Sequence, residues 1–105
     1  MEIVKVFISQ PMRGKTTEQV RAERAEILKD VAKYLEGKSF EVLNTIFDEE
    51  PGKTYNHFPL FYLSKSIQVL GTADYAYFAN GWENYNGCCI EHECCTRYGI
   101  AIIKD

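Results

Sequence analysis

The residues with the clearest chemical potential lie between Asn80 and Gly99, in the stretch NGWENYNGCCIEHECCTRYG. Its pattern predicts a helix that opens at Gly87 and stops at Gly99, led in by a loop of Gly, Asn, Trp and Tyr. Glu91 falls one turn inside that helix. Partial positive charge at the helix N-terminus is expected to hold its carboxylate ionised. An ionised, partly enclosed Glu is the nucleophile that covalent attack on a sugar carbon requires. The plainer alternative is a surface Glu that complements the helix dipole, which is how neighbouring Glu93 reads.

A second candidate group is the loop SQPMRGK, Ser9–Lys15. Ser9 and the free N–H groups near a helix start can donate to a phosphate, Gly14 permits close approach, and Arg13 offers a planar fork. The candidate ligand contacts here are Ser9, Gln10, Met12, Arg13 and Gly14; the rival reading is an ordinary strand-to-helix turn. From the other loop, Trp82, Tyr85, Asn86 and Gly87 are the candidate contacts. Tyr75 and Tyr77, at alternating positions of a strand, read as packing or as an interface. Cys88, His92 and Cys95 share one helical face. Structural zinc rarely takes three ligands from one helix, so small residues packing against a sheet explain them better and no metal is expected. His57, with Asp48, Glu49 and Glu50, falls on a polar loop and is given no role.

The elements that must carry these loops alternate regularly. Ile3–Ser9 is an apolar, β-branched run halted by Gln10-Pro11 and reads as a buried strand. Thr16 with Gln19 resembles a capping box, followed at helical spacing by Val20, Ile27, Leu28, Val31 and Leu35, with Gly37 closing the helix. Phe40–Phe47 is the second predicted strand, and Asp48–Phe58 an exposed loop around Pro51-Gly52. Pro59 suits a first helical position, with Leu60, Leu63, Ile67 and Leu70 on one face. Ala73–Ala79 and Ile100–Ile103 are the remaining strands, on either side of the Gly87–Tyr98 helix.

This βαβαβαβ order predicts an α/β fold, a flavodoxin/Rossmann-like three-layer sandwich whose four-stranded parallel sheet has the order 2-1-3-4. Ligands bind beyond the carboxyl ends of the strands at the topological switch point, here between the first and third strands. The loops leaving those two strands are SQPMRGK and NGWENYNG. Topology thus converges on the two loops already singled out.

At 105 residues the chain is expected to form one domain, 1–105, without repeat, low-complexity tract or linker. The net charge of −3, with no Lys/Arg cluster, argues against a nucleic-acid polymer as partner and leaves a small anion open. MEIVKVFIS is not a signal-peptide pattern, and no apolar run approaches the ~20 residues of a membrane span, so a cytoplasmic protein without membrane contact is expected. The four cysteines sit together at Cys88, Cys89, Cys94 and Cys95, where reduced thiols are expected rather than a disulfide framework.

With these residues assembled, the chain resembles the nucleoside 2-deoxyribosyltransferase superfamily, in particular a small branch found in bacteria and phages. FISQPMRG is similar to the family's strand-one loop, which holds a 5′-phosphate in its nucleotide hydrolases. TADYAYF resembles the family's "AD plus apolar strand", and GCCIEHECC the family's Gly-x-x-x-Glu-x-x-x-small element, in which the Glu is the nucleophile. The resemblance covers nearly the whole domain. It implies Glu91 as catalytic residue, a nucleoside or nucleotide as partner, no cofactor, and a homodimer or higher homo-oligomer.

Two positions depart from the family pattern. The family's general-acid Asp lies eight residues before the "AD" aspartate, which here reaches Ser66, a weak partner with no acid to offer at neutral pH. Six residues before the nucleophile, Tyr85 stands where the family often has Asp or Ser. Asp74, the "AD" aspartate, lies at the start of its strand and reads as structural. The expected function is cleavage of an N-glycosidic bond or transfer of a deoxyribosyl group through Glu91. The alternatives are a non-catalytic protein that binds a nucleotide or nucleotide-derived signal, and a structural protein that uses its aromatic strand as an interface.

Overall fold

The structure is a computed structural model and describes residues 2–105. In chain order the elements are β1 (Val4–Ser9), α1 (Thr17–Leu35), β2 (Phe40–Val42), α2 (Phe58–Leu70), β3 (Tyr75–Phe78), α3 (Asn86–Tyr98) and β4 (Ala101–Lys104). A short 3-10 turn, Trp82–Asn84, precedes α3. All strand pairs are parallel and their order is β2-β1-β3-β4. This is the expected doubly wound sheet, with its switch point between β1 and β3.

Period-two alternation along β1 sends its side chains to two cores. Val6 and Ile8 pack with Val31 and Leu35 of α1 and with Tyr77 on one face. Phe7 packs on the other with Leu70 of α2, Phe78 of β3 and Cys95 of α3. Ser9, two residues beyond Phe7, shares the second face and is directed toward α3. Tyr77, expected to pack, is buried and donates its hydroxyl to Asp30 Oδ2 at 2.5 Å.

The capping box forms as its spacing predicts: the Gln19 N–H donates to Thr16 Oγ1 at 3.1 Å and the Thr16 N–H to Gln19 Oε1 at 2.8 Å. α1 ends through two successive left-handed residues, Glu36 at φ 43° and Gly37 at φ 83°. Asp74 lies at the amino end of the sheet, where Oδ2 accepts the Lys5 N–H at 2.8 Å and ties β3 to β1.

Three expectations need correction. β2 ends at Val42 rather than Phe47, because its last registered pair is Val6↔Val42. The chain then leaves the sheet in an Asx turn, with the Ile46 N–H donating to Asn44 Oδ1 at 3.1 Å. Leu28 keeps helical spacing yet stands 36% exposed, since the sheet covers only a narrow stripe of α1. On α2 only Leu70 is fully buried, while Phe58 and Leu60 are more than half exposed. Among the described residues, no helix is long and apolar enough to cross a membrane.

Candidate functional site

At the carboxyl ends of β1 and β3 the surface opens into a cavity of about 590 Å³. Its walls are the β1–α1 loop, residues 45–47 beyond β2, one side of α2 from Pro59 to Ser66 and the start of α3. Glu91 lies within it. Cys88, Glu91 and Cys95 recur at i, i+3 and i+7 and form the buried face of α3, so the carboxylate is carried to the sheet along with the small residues that pack there.

Ser9 Oγ donates to Glu91 Oε1 at 2.7 Å, a length suited to a hydroxyl held by a carboxylate. Glu91 itself is only 7% exposed. That burial pushes its carboxyl up to about 7, while hydrogen bonding to Ser9 and then to Ser66 draws it down. The expectation that the helix N-terminus keeps Glu91 ionised is therefore corrected. Glu91 is the sixth residue of α3, beyond the first turn where the dipole acts, and desolvation outweighs it. At neutral pH the group is poised between its two forms. Cys88 lines the same wall, and its thiol is pushed up to about 11, chiefly by burial, with the Glu91 charge adding.

Most of the residues singled out in the sequence meet at this cavity. Gln10, Met12, Arg13, Tyr85, Asn86, Gly87 and Ser66 line it, and Ser9 reaches it through Glu91. Gln10 is already occupied on both sides of its amide: Nε2 donates to the Val20 carbonyl at 2.9 Å, and Oε1 accepts from Arg24 Nε at 3.1 Å. Gln10 therefore shapes the wall and holds it together.

Two expected contacts are not at the wall. Trp82 lies flat against His92, with ring centroids 4.2 Å apart and planes at 11°, and tilts against Phe78 in the core. The glycine turn before the 3-10 segment, Gly81 at φ 87°, turns the indole inward. Gly14 is exposed and outside the lining. A Cβ there would meet no protein atom within 4 Å, and the backbone at φ +81° is the left-handed conformation that favours glycine.

Thr45, Ile46, Phe47, Tyr62 and Leu63, none of them marked by a sequence motif, also line the cavity. The sequence pattern places residues 45–47 in the second strand and Leu63 on the apolar face of the second helix. The available signal was positional, since the loop after the second strand leaves from the same rim as the site. Among the described residues, no group of three or more His, Cys, Asp or Glu side chains converges as a metal site, and His92 instead pairs with Asp105 at 3.0 Å. All four cysteines are free thiols.

The molecule is thus of the flavodoxin/Rossmann-like class, with a carboxylate-bearing cavity at its switch point. No protein-family model matches the chain, and no curated protein matches it. It is similar in structure to a conserved protein from Enterococcus faecalis, known from a crystal structure, with a TM-score of 0.62 and 12% sequence identity. The match covers 96% of this chain and 62% of that one, so the chain spans less than two thirds of its structural neighbour. At this identity the likeness speaks for the fold alone.

Proposed function

We propose that the cavity binds a nucleoside or nucleotide and that Glu91 cleaves its N-glycosidic bond or transfers its deoxyribosyl group. The observation that carries this reading is Glu91 as the one carboxylate among the described residues lining the cavity, buried and held by Ser9 at 2.7 Å. Around it, Phe47, Tyr62 and Tyr85 offer aromatic surface for a planar base. Arg13 lines the cavity as a cation suited to an anionic group on the sugar, while Lys15, also in the lining, is paired with Glu23 at 2.9 Å.

In the first step a Glu91 oxygen attacks C1′ as the C1′–N bond breaks through an oxocarbenium-like transition state. The electron pair of the broken bond stays on the base, which takes up a proton. Water or a second base then attacks C1′, the C1′–O bond to Glu91 breaks, and the carboxylate is regenerated. Only ionised Glu91 can begin this cycle. Tyr85 and Ser66 line the cavity with hydroxyls that would assist the departing base, Ser66 where the resembled family has an acid. General acid catalysis typically contributes about 10²–10⁴-fold, so turnover without a dedicated acid is slow.

That same missing acid favours a second reading, a protein that holds a nucleotide without turning it over. Chromatographic base release from a panel of 2′-deoxynucleosides and their 5′-monophosphates separates the two. The enzyme reading expects release by the native chain and a loss of roughly 10³-fold or more in Glu91→Gln, with affinity largely kept. Thermal stabilisation by a nucleotide without release from either chain selects the binding reading, and no stabilisation by any nucleotide removes both.

A further inference from the structure

Arg24 on α1 stands behind the cavity wall and joins its two sides. Nε donates to Gln10 Oε1 at 3.1 Å, Nη2 donates to Thr45 Oγ1 at 2.7 Å, and the same Nη2 lies 3.5 Å from the Ile8 carbonyl. Gln10 belongs to the loop leaving β1 and Thr45 to the segment leaving β2. Both are buried and both line the cavity. No carboxylate pairs with Arg24 among the described residues, and every acceptor it has is a neutral group of these two loops and of the β1 end. Desolvation, with some repulsion from Arg21, lowers its pKa to about 10, which leaves the guanidinium charged at neutral pH.

We propose that Arg24 is a positioning residue for this site: its guanidinium clamps the β1 and β2 exit loops together and so sets the width of the ligand cavity beside Glu91. The backbone alone does not do this. Parallel pairing between β1 and β2 stops at Val6↔Val42, so Thr45 has left the ladder and needs another anchor. A planar fork meets that need because its edges donate in divergent directions at once, whereas the ammonium of a lysine is a single point. Gln10 extends the clamp to α1 through its bond to the Val20 carbonyl, one turn before Arg24.

Amide hydrogen exchange on Arg24→Met and Arg24→Lys, read by mass spectrometry without ligand, tests the clamp directly. The expected result is faster exchange at 10–12 and 43–47 in both variants, by about tenfold or more, with β3 and α3 as protected as in the native chain. Unchanged exchange in the two loops, or an equal rise throughout the sheet, overturns the proposal. Should neither variant fold, Thr45→Val removes one arm while keeping the cation: exchange at 43–47 alone should rise, and no rise there overturns the clamp. The second readout is affinity for a 2′-deoxynucleoside 5′-monophosphate. Weakening of about tenfold in Arg24→Lys as well as Arg24→Met is expected, as is recovery of Arg24→Ala by added ethylguanidinium. Full affinity in Arg24→Lys overturns the proposal. This affinity readout rests on the nucleotide reading and the exchange readout does not, so a native chain that binds no nucleotide removes that reading while exchange still decides the role of Arg24.

Discussion

Glu91 is held between opposing effects, desolvation that favours its neutral form and two hydroxyls that favour the charged one. Their balance near 7 makes the residue sensitive to small changes in its surroundings. If ionised Glu91 is the nucleophile, kcat/KM for base release rises with pH through a midpoint at about 7. Ser9→Ala removes the larger stabilising hydroxyl and should move that midpoint up by about one to two pH units, since hydrogen bonds to charged groups contribute about 1.5–3 kcal/mol. A midpoint unchanged in Ser9→Ala would show that another group governs the profile. Cys88 contributes bulk rather than nucleophilicity, because a thiol at about 11 is scarcely ionised at neutral pH.

At the scale of elements, α1 both closes one core and reaches across to the site. Its capping box fixes where the helix begins, and that in turn sets the Arg24 side chain against the β1 and β2 exit loops. Thr16→Ala should cost about 1 kcal/mol and lower Tm by about 4–8 °C. The pH midpoint of base release should stay in place, because neither Thr16 nor Gln19 touches Glu91. A moved midpoint in this variant would mean that the start of α1 reaches the carboxylate by a route the hydrogen bonds do not contain. The capping residues were legible in the sequence because they act locally. The early end of β2 was not, because Ile46 and Phe47 have strand propensity and only the absence of a partner strand releases them.

For the whole molecule, the buried carboxyl couples stability to pH. Between about pH 4.5 and 7 the folded chain keeps the Glu91 proton that the unfolded chain releases, so stability falls as pH rises through this window. The penalty is complete above the folded value and absent below the unfolded one. A rise from 4.5 to about 7 corresponds to roughly 3 kcal/mol. Glu91→Gln should therefore melt higher than the native chain at pH 8, with the two converging near pH 4. An equal difference at both pH values would show that Glu91 does not titrate across folding in this way.

The sequence by itself determined the order of elements, the parallel sheet, the switch point and the two loops that meet there. Each follows from local chemistry: period-two and helical spacing, caps, and Pro and Gly at the breaks. It also singled out Glu91, through its place one turn inside a helix behind an unusual loop and through the resemblance of GCCIEHECC to a family element, whereas the buried face of Cys88, Glu91 and Cys95 emerged only from the structure. Tertiary structure alone decided the upward shift of the Glu91 carboxyl, the turning of Trp82 onto His92, and the joining of Gln10, Thr45 and Arg24 into one wall. Those outcomes depend on burial and on partners distant in the chain, such as Ser9 and Glu91, 82 residues apart, and no local pattern encodes which distant groups will share a desolvated space.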